Sequence, residues 1–161
     1  MTKTDNSPKV NPNHPPRATG PDNATGMEYW FAHRVSYGET DAMGVLYYAE
    51  YLHIFERARS AFIRHLGTSY REVEARGMML PVREAGCRYR APARFDDLLQ
   101  VHLYIGELGR ASLTFHYTVY SEDRKIIMTT GFTQHACVNP QGRPLAMPQW
   151  FRDICLGVGL E

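Results

Sequence analysis

The sequence predicts an α+β domain in which a curved antiparallel β-sheet wraps one long central helix. Three observations carry this. One amphipathic stripe of helical period runs from Tyr47 to Leu66 and stops at Gly67. Almost everything after it alternates with period two, in segments separated by short polar turns. Short turns join antiparallel neighbours, whereas parallel strands need long crossovers. At 161 residues the chain suits one domain with one core. The helical stripe is wide and aromatic, so the sheet is expected to curl round it.

Residues 1–26 are read as a disordered tail. They are rich in Pro, Asn, Thr and Gly, and Val10 is their one large aliphatic residue besides Met1. Such a segment buries too little apolar surface to offset its ordering entropy. It also lacks the apolar run of a secretory signal. The folded domain is expected over 27–161. Met27, Tyr29, Phe31, His33, Val35 and Tyr37 alternate with Glu28, Ala32, Arg34 and Ser36, which predicts a first strand. Gly38 to Leu46 reads as a loop, with Gly44 supplying backbone freedom. In the helix, Tyr48, Tyr51, Leu52, Phe55, Ala58, Phe62 and Leu66 share one face, while Glu50, His53, Arg57, Ser60 and Arg64 share the other. Ser69 to Arg76 reads as a short second helix closed by Gly77. Strands follow at Leu80–Ala91, Leu99–Ile105, Leu113–Val119 and Ile126–Val138. Pro92, Gly109-Arg110, Ser121–Lys125 and Asn139-Pro140-Gln141-Gly142 punctuate them. Gln149 to Cys155 reads as a terminal helix.

Composition excludes several function classes. Hydrophobic residues make up 43% and charged residues 22%, the balance of a soluble globular chain. A net charge of +1 gives no electrostatic reason to expect nucleic acid or an anionic membrane. No apolar run is long enough to span a bilayer. Cys87, Cys137 and Cys155 are odd in number and widely spaced, so neither a zinc site nor a disulfide framework is expected. A reducing cytoplasm is the simplest compartment. His33, His53, His65, His102, His116 and His135 show no ligand-like clustering, and no metal or cofactor is expected.

The chemistry concentrates between Tyr37 and Tyr51. Asp41 lies between the end of a strand and the start of the long helix. A helix N-terminus offers unpaired N–H groups and the positive end of the macrodipole. A carbonyl oxygen could rest there, polarised by the N–H near Tyr48, while Asp41 attacks the carbonyl or activates a water. Read from residues alone, Asp41 is equally a cap or turn residue, since Asp is common in both places. Arg88, Arg90 and Arg94 suit phosphate, because guanidinium matches its geometry. Tyr47, Tyr48 and Tyr51 form a cluster that would line an acyl pocket or pack in the core.

The stretch Thr40-Asp41-Ala42-Met43-Gly44-Val45-Leu46-Tyr47-Tyr48-Ala49-Glu50-Tyr51, followed by Phe55-Glu56-Arg57-Ala58-Arg59, resembles the 4-hydroxybenzoyl-CoA thioesterase family. Tyr89-Arg90-Ala91-Pro92-Ala93-Arg94-Phe95-Asp96-Asp97-Leu98 is a second match, similar to the bacterial branch of acyl-CoA thioesterases associated with the Tol–Pal envelope cluster. The resemblance implies a hotdog fold and hydrolysis of acyl-CoA by water without a cofactor. It implies a homodimer or homotetramer in which sheets become continuous and active sites lie between protomers. Asp41 becomes the catalytic carboxylate, the Tyr48 backbone N–H the carbonyl donor, and Tyr37 an assisting group. The Tol–Pal branch often has His where this chain has Tyr48, which leaves the backbone role and removes an imidazole one. Gly44, Tyr47, Tyr51, Arg88, Arg90 and Arg94 are the expected substrate-binding residues. Glu50 is the runner-up carboxylate, and Glu56 and Arg59 are expected to form an internal ion pair. Two rivals stay open: a hydratase on the same fold, and a non-catalytic protein that binds acyl carrier protein.

Overall fold

The structure is a computed structural model and describes residues 27–159; the tail expected over residues 1–26 lies outside the described residues. In chain order it contains β1 (Glu28–Arg34), α1 (Glu50–His65), α2 (Tyr70–Ala75), β2 (Val82–Tyr89), β3 (Leu98–Leu108), β4 (Ser112–Tyr120), β5 (Ile127–Ala136) and α3 (Gln149–Leu156). A 3-10 turn, Tyr37–Glu39, sits in the loop between β1 and α1. The five strands form one sheet in the order β1-β3-β4-β5-β2, antiparallel at every pairing. This is the hotdog arrangement, a sheet around one long helix.

Alternation builds the core as expected. Leu99, Val101, Leu103 and Ile105 of β3, and Leu113, Phe115, Tyr117 and Val119 of β4, are all buried. They face Tyr51, Ile54, Phe55, Ala58, Phe62 and Ile63 of α1 in one apolar cluster. Burying a side chain of this kind stabilises by about 1.5–3 kcal/mol, an upper estimate because the unfolded chain is already partly collapsed. Phe55 stacks on Tyr117 with ring centroids 4.1 Å apart. That closeness needs Gly131, where an added Cβ would fall 2.5 Å from the Phe55 ring and 2.7 Å from the Gly86 carbonyl oxygen.

The helix differs from its sequence pattern in three ways. It begins at Glu50, and Tyr47 to Ala49 form a turn leading into it. The Tyr47 N–H is taken by the Glu39 carbonyl at 2.8 Å, which holds the chain out of the helical path. Secondly, Leu52 and Ile63 lie three turns apart on nearly the same side, yet Ile63 is buried and Leu52 is exposed. The C-terminal half of α1 is therefore enclosed on more sides than its N-terminal half. Thirdly, Glu56 and Arg59 do not pair. Glu56 accepts from the Ser60 hydroxyl at 3.0 Å, while buried Arg59 donates to Tyr117 Oη at 3.1 Å and Thr133 Oγ1 at 3.4 Å. Residues three apart are neighbours on a helix face, but Arg59 is drawn into the core by Tyr117 and Thr133 while Glu56 stays exposed beside Ser60.

Candidate active site

The loop that follows β1 is fixed by its own backbone. The Asp41 N–H donates to the Val45 carbonyl and the Gly44 N–H to the Asp41 carbonyl, both at 2.9 Å. Gly44 takes φ +75°, a left-handed conformation that suits glycine. Asp41 Oδ1 accepts from the Met43 N–H at 2.9 Å and from the Val45 N–H at 3.4 Å. Asp41 Oδ2 has no hydrogen-bond partner among the described residues. The capping alternative for Asp41 fails, because Ala49 is the N-cap of α1 and no side chain caps it. The turn alternative holds, since Oδ1 closes an Asx-type turn.

Beside Asp41 lies a cleft of about 350 Å³ lined by Asp41, Met43, Val45, Leu46, Tyr48, Tyr51, Tyr89, Arg90, Ala91 and Pro92. Asp41 is its one carboxylate, and the remaining lining is mostly apolar. The Tyr48 N–H meets no backbone acceptor among the described residues. Asp41, with one carboxylate oxygen unpartnered, and Tyr48, with an N–H that meets no backbone acceptor, therefore line one mostly apolar cleft. Two of its phenols, Tyr51 and Tyr89, are held protonated at neutral pH. Burial raises Tyr51. Burial, then the Cys87 thiol, pushes Tyr89 up to about 12. Tyr47 is raised first by hydrogen bonding to the Tyr48 hydroxyl, and further by the Asp41 charge.

Strand geometry sorts the other expected residues. Cys87 packs against the core and Tyr89 meets Tyr51, so alternation sends Arg88 to the opposite face, away from the cleft. Arg90 does reach it. The Arg90 and Ala91 N–H groups both donate to the Met128 carbonyl, at 2.9 and 3.0 Å. That two-against-one pairing breaks the alternation, as a bulge does. Arg94 pairs with Val45, and its Nη1 lies 4.0 Å from where a Gly44 Cβ would sit. Arg94 and Gly44 thus flank the loop rather than line the cleft. Tyr47 stands outside with its ring against Tyr48, and Glu50 at the helix start is not among the lining residues. Tyr37 is 75% exposed and stacks on Phe95 at 3.6 Å, outside the cleft of its own protomer.

The sequence reading missed Met43, Val45, Leu46, Tyr89, Ala91 and Pro92 as lining. Tyr89 was open to discovery through its alternation with Cys87. A larger hollow of about 540 Å³ is lined by Asp96, Asp97, Glu122 and Asp123, a charge that repels phosphate.

A family model described as the thioesterase-like superfamily matches residues 35–154. This chain belongs to the thioesterase-like superfamily. Acyl-CoA thioester hydrolase YbgC of Escherichia coli is 33% identical over 117 residues, 72% of this chain and 87% of that protein. A crystal structure of a hypothetical protein from Aquifex aeolicus shares 32% identity and superposes with a TM-score of 0.75 over 79% of this chain and 98% of that one. A DHNA-CoA thioesterase from Staphylococcus aureus gives 27% identity and a TM-score of 0.72 over 78% of this chain and 85% of that one. The thioester-hydrolase class expected from the sequence is the class of these named relatives of the superfamily member.

Proposed function

We propose that the protein hydrolyses acyl-CoA thioesters to the free acid and CoA, with Asp41 as the reacting carboxylate. The observation that carries this reading is one mostly apolar cleft lined by both Asp41, which has an unpartnered Oδ2, and Tyr48, whose N–H meets no backbone acceptor among the described residues. The thioester carbonyl oxygen accepts from the Tyr48 N–H, which stabilises charge as it develops there. Asp41 attacks the carbonyl carbon, or removes a proton from the water that attacks it, and the thiolate of CoA leaves. On the first route water then cleaves the acyl–Asp41 anhydride. The acyl group lies along Tyr48, Tyr51 and Tyr89. Arg90, with Arg94 beyond the loop, meets the phosphates of CoA.

Protomer pairing completes the reading. β2 is an edge strand, exposed along most of Val82–Tyr89, and an unpaired edge invites association. A second copy pairs there to give a dimer or a tetramer built on it. That pairing buries surface near the cleft and gives the exposed Tyr37–Phe95 stack a partner copy to face. Cys87, Cys137 and Cys155 are free thiols, which suits the cytoplasm. Among the described residues no helix is long and apolar enough to cross a membrane. A hydratase would want an imidazole beside Asp41, and no histidine lines the cleft.

The test is thiol release over aromatic, short aliphatic and long aliphatic CoA thioesters, with acyl-carrier-protein thioesters as the alternative donors. Turnover of at least one substrate, lost in Asp41→Asn, is expected. Binding of acyl carrier protein without turnover of any thioester would overturn the reading. Label found in Asp41 after single turnover in heavy-oxygen water establishes the anhydride route, opened by water at the Asp41 carboxyl carbon. Where the label goes to the product acid alone, trapping of the acyl–Asp41 anhydride separates the two routes. Light scattering should return a dimer or tetramer mass, and a monomer would remove the paired-sheet site.

A further inference from the structure

Tyr89 is 48% exposed on an edge strand, yet its hydroxyl donates to the Tyr48 carbonyl oxygen at 2.8 Å. The two residues are 41 apart in sequence. This hydrogen bond therefore joins the sheet to the turn that carries the proposed carbonyl donor.

We propose that Tyr89 is a positioning residue that fixes the direction of the Tyr48 amide; this rests on the thioesterase reading of the cleft. Two peptide planes flank Tyr48. The plane before it holds the Tyr47 carbonyl and the Tyr48 N–H. Its carbonyl accepts from the Glu50 N–H at 2.9 Å. The plane after it holds the Tyr48 carbonyl and the Ala49 N–H, and its carbonyl accepts from Tyr89. With both carbonyls held, rotation about the Tyr48 Cα is resisted from both sides. The free N–H keeps one direction, and a preorganised donor is what oxyanion stabilisation needs.

The support for Tyr89 is rigid. Tyr89 pairs with Thr129 across the sheet, and the bulge at Arg90 and Ala91 follows directly. Its ring meets Tyr51 at 5.3 Å and Tyr48 at 6.5 Å, both edge-on. Those ring contacts survive loss of the hydroxyl. The phenol is also a proton donor throughout the neutral range, since burial holds it at about 12.

Tyr89→Phe isolates the hydrogen bond, and two readouts decide. In steady-state hydrolysis of the best CoA thioester, kcat should fall about 5- to 20-fold, the scale of one neutral hydrogen bond felt in the transition state. KM should stay within about twofold. In amide hydrogen exchange by NMR, the Glu50 and Leu52 amides, which close the first turn onto Tyr47 and Ala49, should exchange several-fold faster. Amides of β3 and β4 should keep their protection, which shows that the fold is intact. Unchanged kcat with unchanged exchange would overturn the proposal. A rise in KM alone, without faster exchange, would also overturn it and leave Tyr89 only as a wall of the substrate pocket. If the wild-type protein hydrolyses no thioester, the functional reading fails by itself. The exchange measurement still decides whether Tyr89 holds the turn.

Discussion

Glu39 and Asp41 stand two residues apart in one loop, and their surroundings make them different groups. Glu39 is 7% exposed. Its oxygens accept from the Ser36 N–H and hydroxyl and meet His33 Nε2 at 2.9 Å and Arg57 Nη1 at 3.4 Å. Burial pushes its carboxyl up, but the Ser36 hydrogen bonds and His33 outweigh that, and the net shift is downward. Asp41 gives one oxygen to the loop, leaves the other without a hydrogen-bond partner among the described residues, and lines a cleft. A carboxylate with its oxygens fully engaged holds structure, and one with an unpartnered oxygen has capacity left for a ligand. The charge of a residue does not separate these roles; its unmet hydrogen-bonding capacity does.

The largest expected effect breaks the comparison at Asp41. Asp41→Asn keeps the Oδ1 contacts to Met43 and Val45, so stability should change by only about 1 kcal/mol. Turnover should drop by roughly 100-fold or more, the scale of one positioned acid–base group. Turnover that stays near wild type in Asp41→Asn, but collapses in Glu50→Gln, would move the reacting carboxylate onto the helix.

Glu39→Ala should do the reverse in kind. Urea unfolding should show a loss of about 1–3 kcal/mol, because Ser36 and His33 lose a buried acceptor. Activity should fall less than in Asp41→Asn at a temperature where both variants are folded. An unaltered unfolding midpoint would show that Glu39 is not the anchor of the loop.

Acid titration sharpens the same contrast. His135 is buried neutral, held by desolvation at about 4 against about 6.5 in an unfolded chain. Its contribution to stability is complete above about pH 6.5 and is lost as pH falls toward 4. Glu39, lowered in the fold, contributes above the unfolded carboxylate value of about 4.3 and loses that contribution below it. Urea midpoints measured from pH 7 to 3 should therefore fall in two stages. His135→Gln should flatten the upper stage and Glu39→Gln the lower one.

The smallest effect belongs to the tail. Residues 1–26 have no apolar face in sequence, so a chain beginning at Met27 should melt within about a degree or two of the full chain and keep its activity. A drop of several degrees would mean that the tail packs on the domain.

The sequence by itself determined the elements and their order. Every strand and helix expected from periodicity is present in the expected order, because period two and period 3.6 follow from backbone geometry alone. Two boundaries moved: β1 ends at Arg34 with Tyr37 in a 3-10 turn, and α1 begins at Glu50. It also singled out Asp41, Tyr48 and Tyr51 through the motif between Thr40 and Tyr51. Tertiary structure decided what periodicity cannot carry. Leu52 and Ile63 share a helix side, and only the uneven wrap of the sheet exposes one and buries the other. Arg88 and Arg90 look alike in sequence, and a bulge against Met128 brings only Arg90 to the cleft. Tyr37, expected to assist at a site shared between protomers, stacks on Phe95 outside the cleft of its own protomer. Tyr89 joins the site through a hydrogen bond to a residue 41 positions away. The physical reason is range. Local backbone preferences act over a few residues, whereas a cleft is made by side chains that meet only after the sheet has closed round the helix.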